Sequence, residues 1–295
     1  MTTIRIGFVR RFVVLVPVPN VPGSRVNGHE PGTFRTGTFF LLLMLVFSSA
    51  LASAEEAFFP RAEVPAKKIF VGERLAYSVS YLGLPVGRGE AEVREIVLLR
   101  GRRAYHIVVH ARSQAVLNLI YKVNDEYHTY IDTEKLTALR YKKNLNEGSR
   151  HVRLVMDYAQ KSHRVYYYFP GKKSVRFDTV PDVQDELSCG YWFRTQPYHP
   201  GEAVTIPVHT DRRDWDLAVS TRGENLMRVP GIGRFHAMEV FPEIDFQGIF
   251  VKKGKITGWI SLDERRIPLK MSVKIPILGS VTAVLESYEA GRNVS

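Results

Sequence analysis

Cysteine is nearly absent from this chain: Cys189 is the one thiol in 295 residues. An intramolecular disulfide needs two thiols and a thiolate zinc site needs several, so both are excluded. No apolar run reaches the roughly 20 residues of a membrane-spanning helix. Phosphate-loop and dinucleotide signatures are missing, because Gly231-Ile232-Gly233 reads as a turn between strands with no helix behind it. The histidines never fall in an H-E-x-x-H or comparable spacing. His106 and His110 share a strand face, yet four residues of strand separate them by roughly 13 Å, too far for one ion. The sequence therefore predicts no metal and no cofactor.

What is abundant is positive charge, formally +11. The charge invites a nucleic-acid reading, and the N-terminus argues against it. Arg35 precedes the apolar run Phe39 to Phe47, after which Ala52-Ser53-Ala54 supplies the small residues of a signal-peptidase site. Residues 1–54 are thus expected to be an N-terminal extension plus a cleaved signal peptide. Their loss removes five arginines and Glu30, leaving a charge of +7. No cysteine follows the run to carry a lipid anchor. The expectation is an exported, most simply periplasmic, protein with no nucleic-acid partner and no transmembrane segment in its mature chain.

From Val71 onward the dominant period is two. Leu75, Tyr77, Val79 and Tyr81 alternate with wetter neighbours, as do Tyr105, Ile107 and Val109, and Val152, Leu154, Met156 and Tyr158. Gly83, Gly101, Gly148, Gly171 and Gly231 punctuate the runs at hairpin spacing. The pattern predicts a mainly β fold: a single antiparallel curled sheet, half-barrel or barrel-like. One short inserted helix is expected over 182–195, capped by Asp182 and stopped by Pro197 and Pro200. A short lead-in (55–67) precedes one β-rich domain (68–288), and 289–295 form a tail.

Four strings carry a family resemblance. They are Val71-Gly72-Glu73-Arg74-Leu75-Ala76-Tyr77 with Gly83 and Gly87, Tyr121 to Tyr127 around Asp125, Asp185-Glu186-Leu187-Ser188 with Tyr191 and Arg194, and Gly258 to Asp263 with Arg265-Arg266-Ile267-Pro268. In this order they resemble an exported bacterial family, domain of unknown function 3108. The resemblance implies an exported, mostly β domain and marks Asp125, Asp185, Ser188, Tyr191, Arg194 and Asp263 as family-like positions. It implies no activity and no catalytic residues.

Candidate chemistry read from the residues is sparse. Ser188-Cys189-Gly190-Tyr191-Trp192 is superficially similar to a papain-like nucleophile segment, but the last histidine, His236, lies only 47 residues downstream. The adjacent pairs Asp125-Glu126, Asp185-Glu186 and Asp263-Glu264 would point to opposite faces of a strand, so none is an acid/base pair by itself. No catalytic residue is assigned. All 14 tyrosines lie in the mature region. Tyr77, Tyr81, Tyr105, Trp192 and Trp259 are the candidates to line a β concavity holding a lipid or another hydrophobic ligand. Basic pairs such as Lys142-Lys143, Lys172-Lys173 and Arg265-Arg266 are expected at turns, solvated or facing an anionic envelope component. The expected role is a non-enzymatic binding or envelope-maintenance protein. The alternatives are a cell-envelope hydrolase built on Cys189 or a carboxylate pair, and a protein-interaction module presenting a sheet edge.

Overall fold

The computed structural model describes residues 56–62, 64–118, 121–245, 255–275 and 279–293. The signal-peptide assignment lies outside them, as does Lys252-Lys253, a further basic pair expected at a turn. In chain order the elements are β1 (Phe58–Phe59), β2 (Arg74–Tyr81), β3 (Leu84–Leu99), β4 (Arg102–Ser113), α1 (Ala115–Asn118), β5 (Asn124–Asp132), β6 (Ala138–Glu147), β7 (Arg150–Ala159), β8 (Arg164–Tyr168) and β9 (Val175–Asp178). There follow α2 (Ser188–Arg194), β10 (Ala203–Thr210), β11 (Arg213–Val229), β12 (Gly233–Asp245), β13 (Lys255–Ser261), β14 (Pro268–Ile275) and β15 (Gly279–Glu289). They form one antiparallel sheet, ordered β10-β11-β12-β13-β14-β15-β2-β3-β4-β5-β6-β7-β8-β9, that is not closed into a barrel.

Strands form where the alternation is cleanest. In β6, Tyr141, Lys143, Leu145 and Glu147 are buried while Arg140, Lys142, Asn144 and Asn146 stay wetter. Packing of one face against the rest of the molecule is what rewards that period. Four apolar clusters occupy the buried face. One joins Cys189 and Phe193 of α2 to Ile206, Val208, Leu217, Val219 and Met238, and another joins Tyr191 to Val93, Tyr105, Ile107 and Ile131. The other two pack Tyr141, Met156 and Tyr158 with Val183, and Leu75, Phe235, Leu269 and Leu285 with one another.

Two expectations need correction. The inserted helix is shorter than 182–195: Asp182 takes a left-handed φ of 53°, which helix cannot use, Gln184 bridges in parallel to Val208 of β10, and only residues 186–187 turn before α2 begins. Lys142-Lys143 is no hairpin tip, because it sits within β6 with Lys143 on the buried face. The lead-in contributes β1 to the sheet. Its Phe58 and Phe59 pair in parallel with Arg234 and Phe235 of β12, and the Phe59 ring stacks on Phe235 at 4.2 Å.

Candidate functional site

The family-like residues build an anchor for α2. Before the helix begins, Asp185 Oδ1 accepts the backbone N–H groups of Leu187 and Ser188, each at 2.8 Å, and Ser188 Oγ accepts the Asp185 N–H at 2.7 Å. This reciprocal capping satisfies donors that a short helix leaves open. Thr129 of β5 donates its hydroxyl to Asp185 Oδ2 at 2.6 Å, tying the cap to the sheet. Burial pushes the Asp185 carboxyl up to about 6 despite these donors. The next residue, Glu186, accepts from Tyr141 (2.9 Å), from Lys143 Nζ (3.0 Å) and from Thr210.

At the helix C-terminus, Arg194 donates from Nη1 and Nη2 to the two Glu73 oxygens at 2.8 and 2.6 Å. Its Nε donates to the Arg266 carbonyl at 3.0 Å and its Nη2 to the Arg265 carbonyl at 3.0 Å. Those carbonyls belong to a turn that Asp263 holds, its Oδ1 accepting the N–H groups of Arg265 and Arg266 at 2.7 and 3.1 Å. The Tyr191 ring lies 5.2 Å from the Arg194 guanidinium. The two ends of the helix are therefore bolted to β5, β6 and β10 on one side and to the β2 entry and β13–β14 turn on the other.

Among the family-like positions, Asp185, Ser188, Tyr191, Arg194 and Asp263 serve this anchor. Asp125 lies apart: it accepts the Asn146 N–H at 2.8 Å and the Tyr127 hydroxyl at 3.2 Å, fixing β5 to β6. The family strings contain Glu73 and Glu186 without marking them as site positions, and Thr129 and Lys143 lie outside the strings. A lysine at the parity of Tyr141 and Leu145 was the available signal, since a buried ammonium demands a carboxylate partner.

The five aromatic candidates do not converge. Tyr77 packs on the Leu75–Leu285 cluster and donates to the Pro268 carbonyl at 2.8 Å. Tyr105 and Trp192 meet beneath α2. Trp259 lies under Lys270, 4.7 Å from its ammonium, and Tyr81 is half-buried at the end of β2. A cavity of about 10 Å³, about the room of one water, lies beside Glu73, Tyr191, Arg194 and Arg265. A wider depression of about 450 Å³ lies at Val71, Ile96, Leu98 and Arg103 and includes none of the candidates.

Cys189 is buried beneath α2, where burial and then the nearby Asp185 push its thiol up to about 12. It is the second residue of α2, nearer the helix start than expected. Among the described residues no cluster of three metal-ligating side chains occurs. A histidine pair does form on the opposite sheet face. His106 Nε2 and His128 Nδ1 lie 3.0 Å apart, with Glu126 at 2.5 Å from His128 Nε2 and Glu95 at 3.6 Å from His106 Nδ1.

An open curled sheet of hairpin-linked strands, with one helix riveted to its buried face, places this chain among β-barrel-like proteins. It belongs to the family described as protein of unknown function DUF3108, which matches residues 76–286. A β-barrel-like protein of domain of unknown function DUF1849 from Brucella abortus shares the fold. It superposes with a TM-score of 0.50 at 11% identity, over 76% of this chain and 99% of that one. A "putative exported protein with YmcC-like fold" from Bacteroides fragilis matches at a TM-score of 0.31 and 11% identity, over 78% of this chain and 100% of its own. Comparison with curated proteins gives no match. Among the described residues no helix is long and apolar enough to cross a membrane.

Proposed function

We propose that this DUF3108 protein is exported and acts without catalysis, as a binding or envelope-maintenance protein that meets a hydrophobic or anionic envelope partner on its surface. One observation carries the reading. The residues that look most like a site, Asp185, Ser188, Arg194 and Asp263, are buried and consumed in holding α2 against the sheet. A carboxylate or thiol that performs hydrolysis has to reach substrate and water, whereas Asp185 and Asp263 face backbone N–H groups and the Thr129 hydroxyl, and the Cys189 thiol is buried. Export rests on the sequence, through Arg35, the apolar run and Ala52-Ser53-Ala54.

The test has two arms. Mass spectrometry of the periplasmic fraction should find a chain beginning at Glu55. In cells lacking the protein, Cys189→Ala should restore envelope integrity as fully as the wild-type chain does. Release of products from purified peptidoglycan or phospholipid by the mature chain would overturn the non-enzymatic reading.

A further inference from the structure

The apolar face of the sheet continues past the end of its core. Along β14 the same face carries Leu269, fully buried, and then Met271, 48% exposed. Along β15 it carries Leu285, buried, then Ala283 and Val281, half-buried; along β2, Leu75 is buried and Tyr77, Val79 and Tyr81 are half-buried. The cross-strand register joins these residues into rows. Ile256, Val273, Val281, Tyr81 and Leu84 are successive partners across five strands, and behind them Met271, Ala283 and Val79 form a second row.

The hairpin tip at the end of these rows is apolar too. Leu82 is 62% and Leu84 is 69% exposed. Leu82 and Gly83 form the two-residue turn with φ of 50° and 84°, a geometry that favours Asn or Gly and costs a leucine about 1–2 kcal/mol. The same kind of turn between β3 and β4 places Arg100 there, tied to Asp157. The opposite sheet face at the Leu82 tip is basic and hydroxylated. Lys255 and Lys274 are direct cross-strand partners, both exposed, and among the described residues neither has a carboxylate partner. Thr257, Ser272, Thr282 and Ser80 line up behind them. Like charges set opposite each other destabilise a sheet unless an anion comes between them.

We infer that this end of the sheet, from β13 to the β2–β3 hairpin, docks on the surface of an anionic phospholipid bilayer. The inference rests on the surface-binding reading above and names its partner. Leu82 and Leu84 enter the interface, the apolar rows lie behind them, and Lys255 and Lys274 meet phosphate headgroups. A second copy of the chain is a poorer occupant, because a self-complementary contact here would bring the lysine pairs of both copies together.

Co-sedimentation of the mature chain with vesicles tests this. Binding is expected to vesicles of phosphatidylglycerol mixed with phosphatidylcholine, weakening as salt rises, and not to phosphatidylcholine alone. Lys255→Glu with Lys274→Glu should weaken it at least about tenfold, given roughly 1 kcal/mol for each basic residue at an anionic surface. Leu82→Asp with Leu84→Asp should abolish it without lowering the urea midpoint, since both side chains are largely exposed and aspartate tolerates the left-handed φ at residue 82. No binding to the mixed vesicles, or unaltered binding by both variants, overturns the inference. So does a single lipid retained in native mass spectrometry without vesicle binding, or a dimer that Leu84→Asp dissociates. Each of these outcomes leaves export and surface binding standing, and those fail separately if the mature chain is missing from the periplasm.

Discussion

Arg194 and Glu73 lie 121 residues apart in sequence and face each other through two parallel hydrogen bonds of 2.8 and 2.6 Å, both side chains buried. The pair couples the connector between β9 and β10, which carries α2, to the entry of β2. Removing one member leaves the other charged and unpaired inside the protein. Arg194→Ala or Glu73→Ala should therefore cost about 3–5 kcal/mol in urea unfolding. Arg194→Met combined with Glu73→Leu should cost clearly less than the two single changes added together, because no orphaned charge remains.

Asp185 makes stability depend on pH in an unusual direction. Its folded carboxyl titrates near 6 against an ordinary 3.8 because burial disfavours the charged form. A raised carboxyl pKa means the folded state holds the proton more tightly. The group's contribution is full below about pH 4 and is lost as pH rises through about 6. Urea unfolding of wild type and Asp185→Asn across that window should show the wild type losing ground to the variant as pH rises, by up to about 3 kcal/mol. A flat difference would contradict the assignment.

The histidine pair works in the opposite sense. Burial holds both His106 and His128 below their ordinary 6.5, with the proximity of His128 adding to the effect on His106; Glu126 and Glu95 oppose it, and Arg94 and Lys142 reinforce it. For a lowered imidazole pKa the stability is present above 6.5 and is lost as pH falls below it. His106→Gln should flatten the acid limb of the stability curve below pH 6.5. NMR titration of the imidazole protons should find both rings neutral at that pH.

Cys189 provides a simple check on packing. With its thiol pushed up to about 12 and shielded by α2, it should resist iodoacetamide in the native state and react at once in urea. Cys189→Ala should cost only about 1 kcal/mol.

The alternation of β2, β4 and β7 was readable in the residues because each strand has one buried face, and the glycine punctuation marked the hairpins. Sheet order was less accessible, since a period of two identifies a strand's buried side and is silent about its neighbour. For that reason His106 could be excluded as a metal partner of His110 by distance along one strand, whereas its approach to His128 depends on the register of β4 with β5. The helix was placed correctly and drawn too long, because Asp182 is as good a capping residue as Asp185 until the backbone conformation is known. Motif strings marked Arg194 and contained Glu73 without marking it. Glu73, immediately before β2, reads like any solvated turn glutamate.

The strand order has a temporal consequence. β2 and β15 are sheet neighbours, and Val71 and Arg292 form a bridge alongside, so the two ends of the domain meet in the middle of the sheet. A chain emerging from its N-terminus completes β2 early and β15 last, some 200 residues later. Until then β2 presents an unpaired edge to any strand it encounters, and two half-sheets wait for a seam of high contact order. Slow final assembly, and a need to be kept apart from other chains while it happens, are built into the topology. A circular permutant that joins 289–293 to the β2 entry should fold faster while keeping every strand pairing.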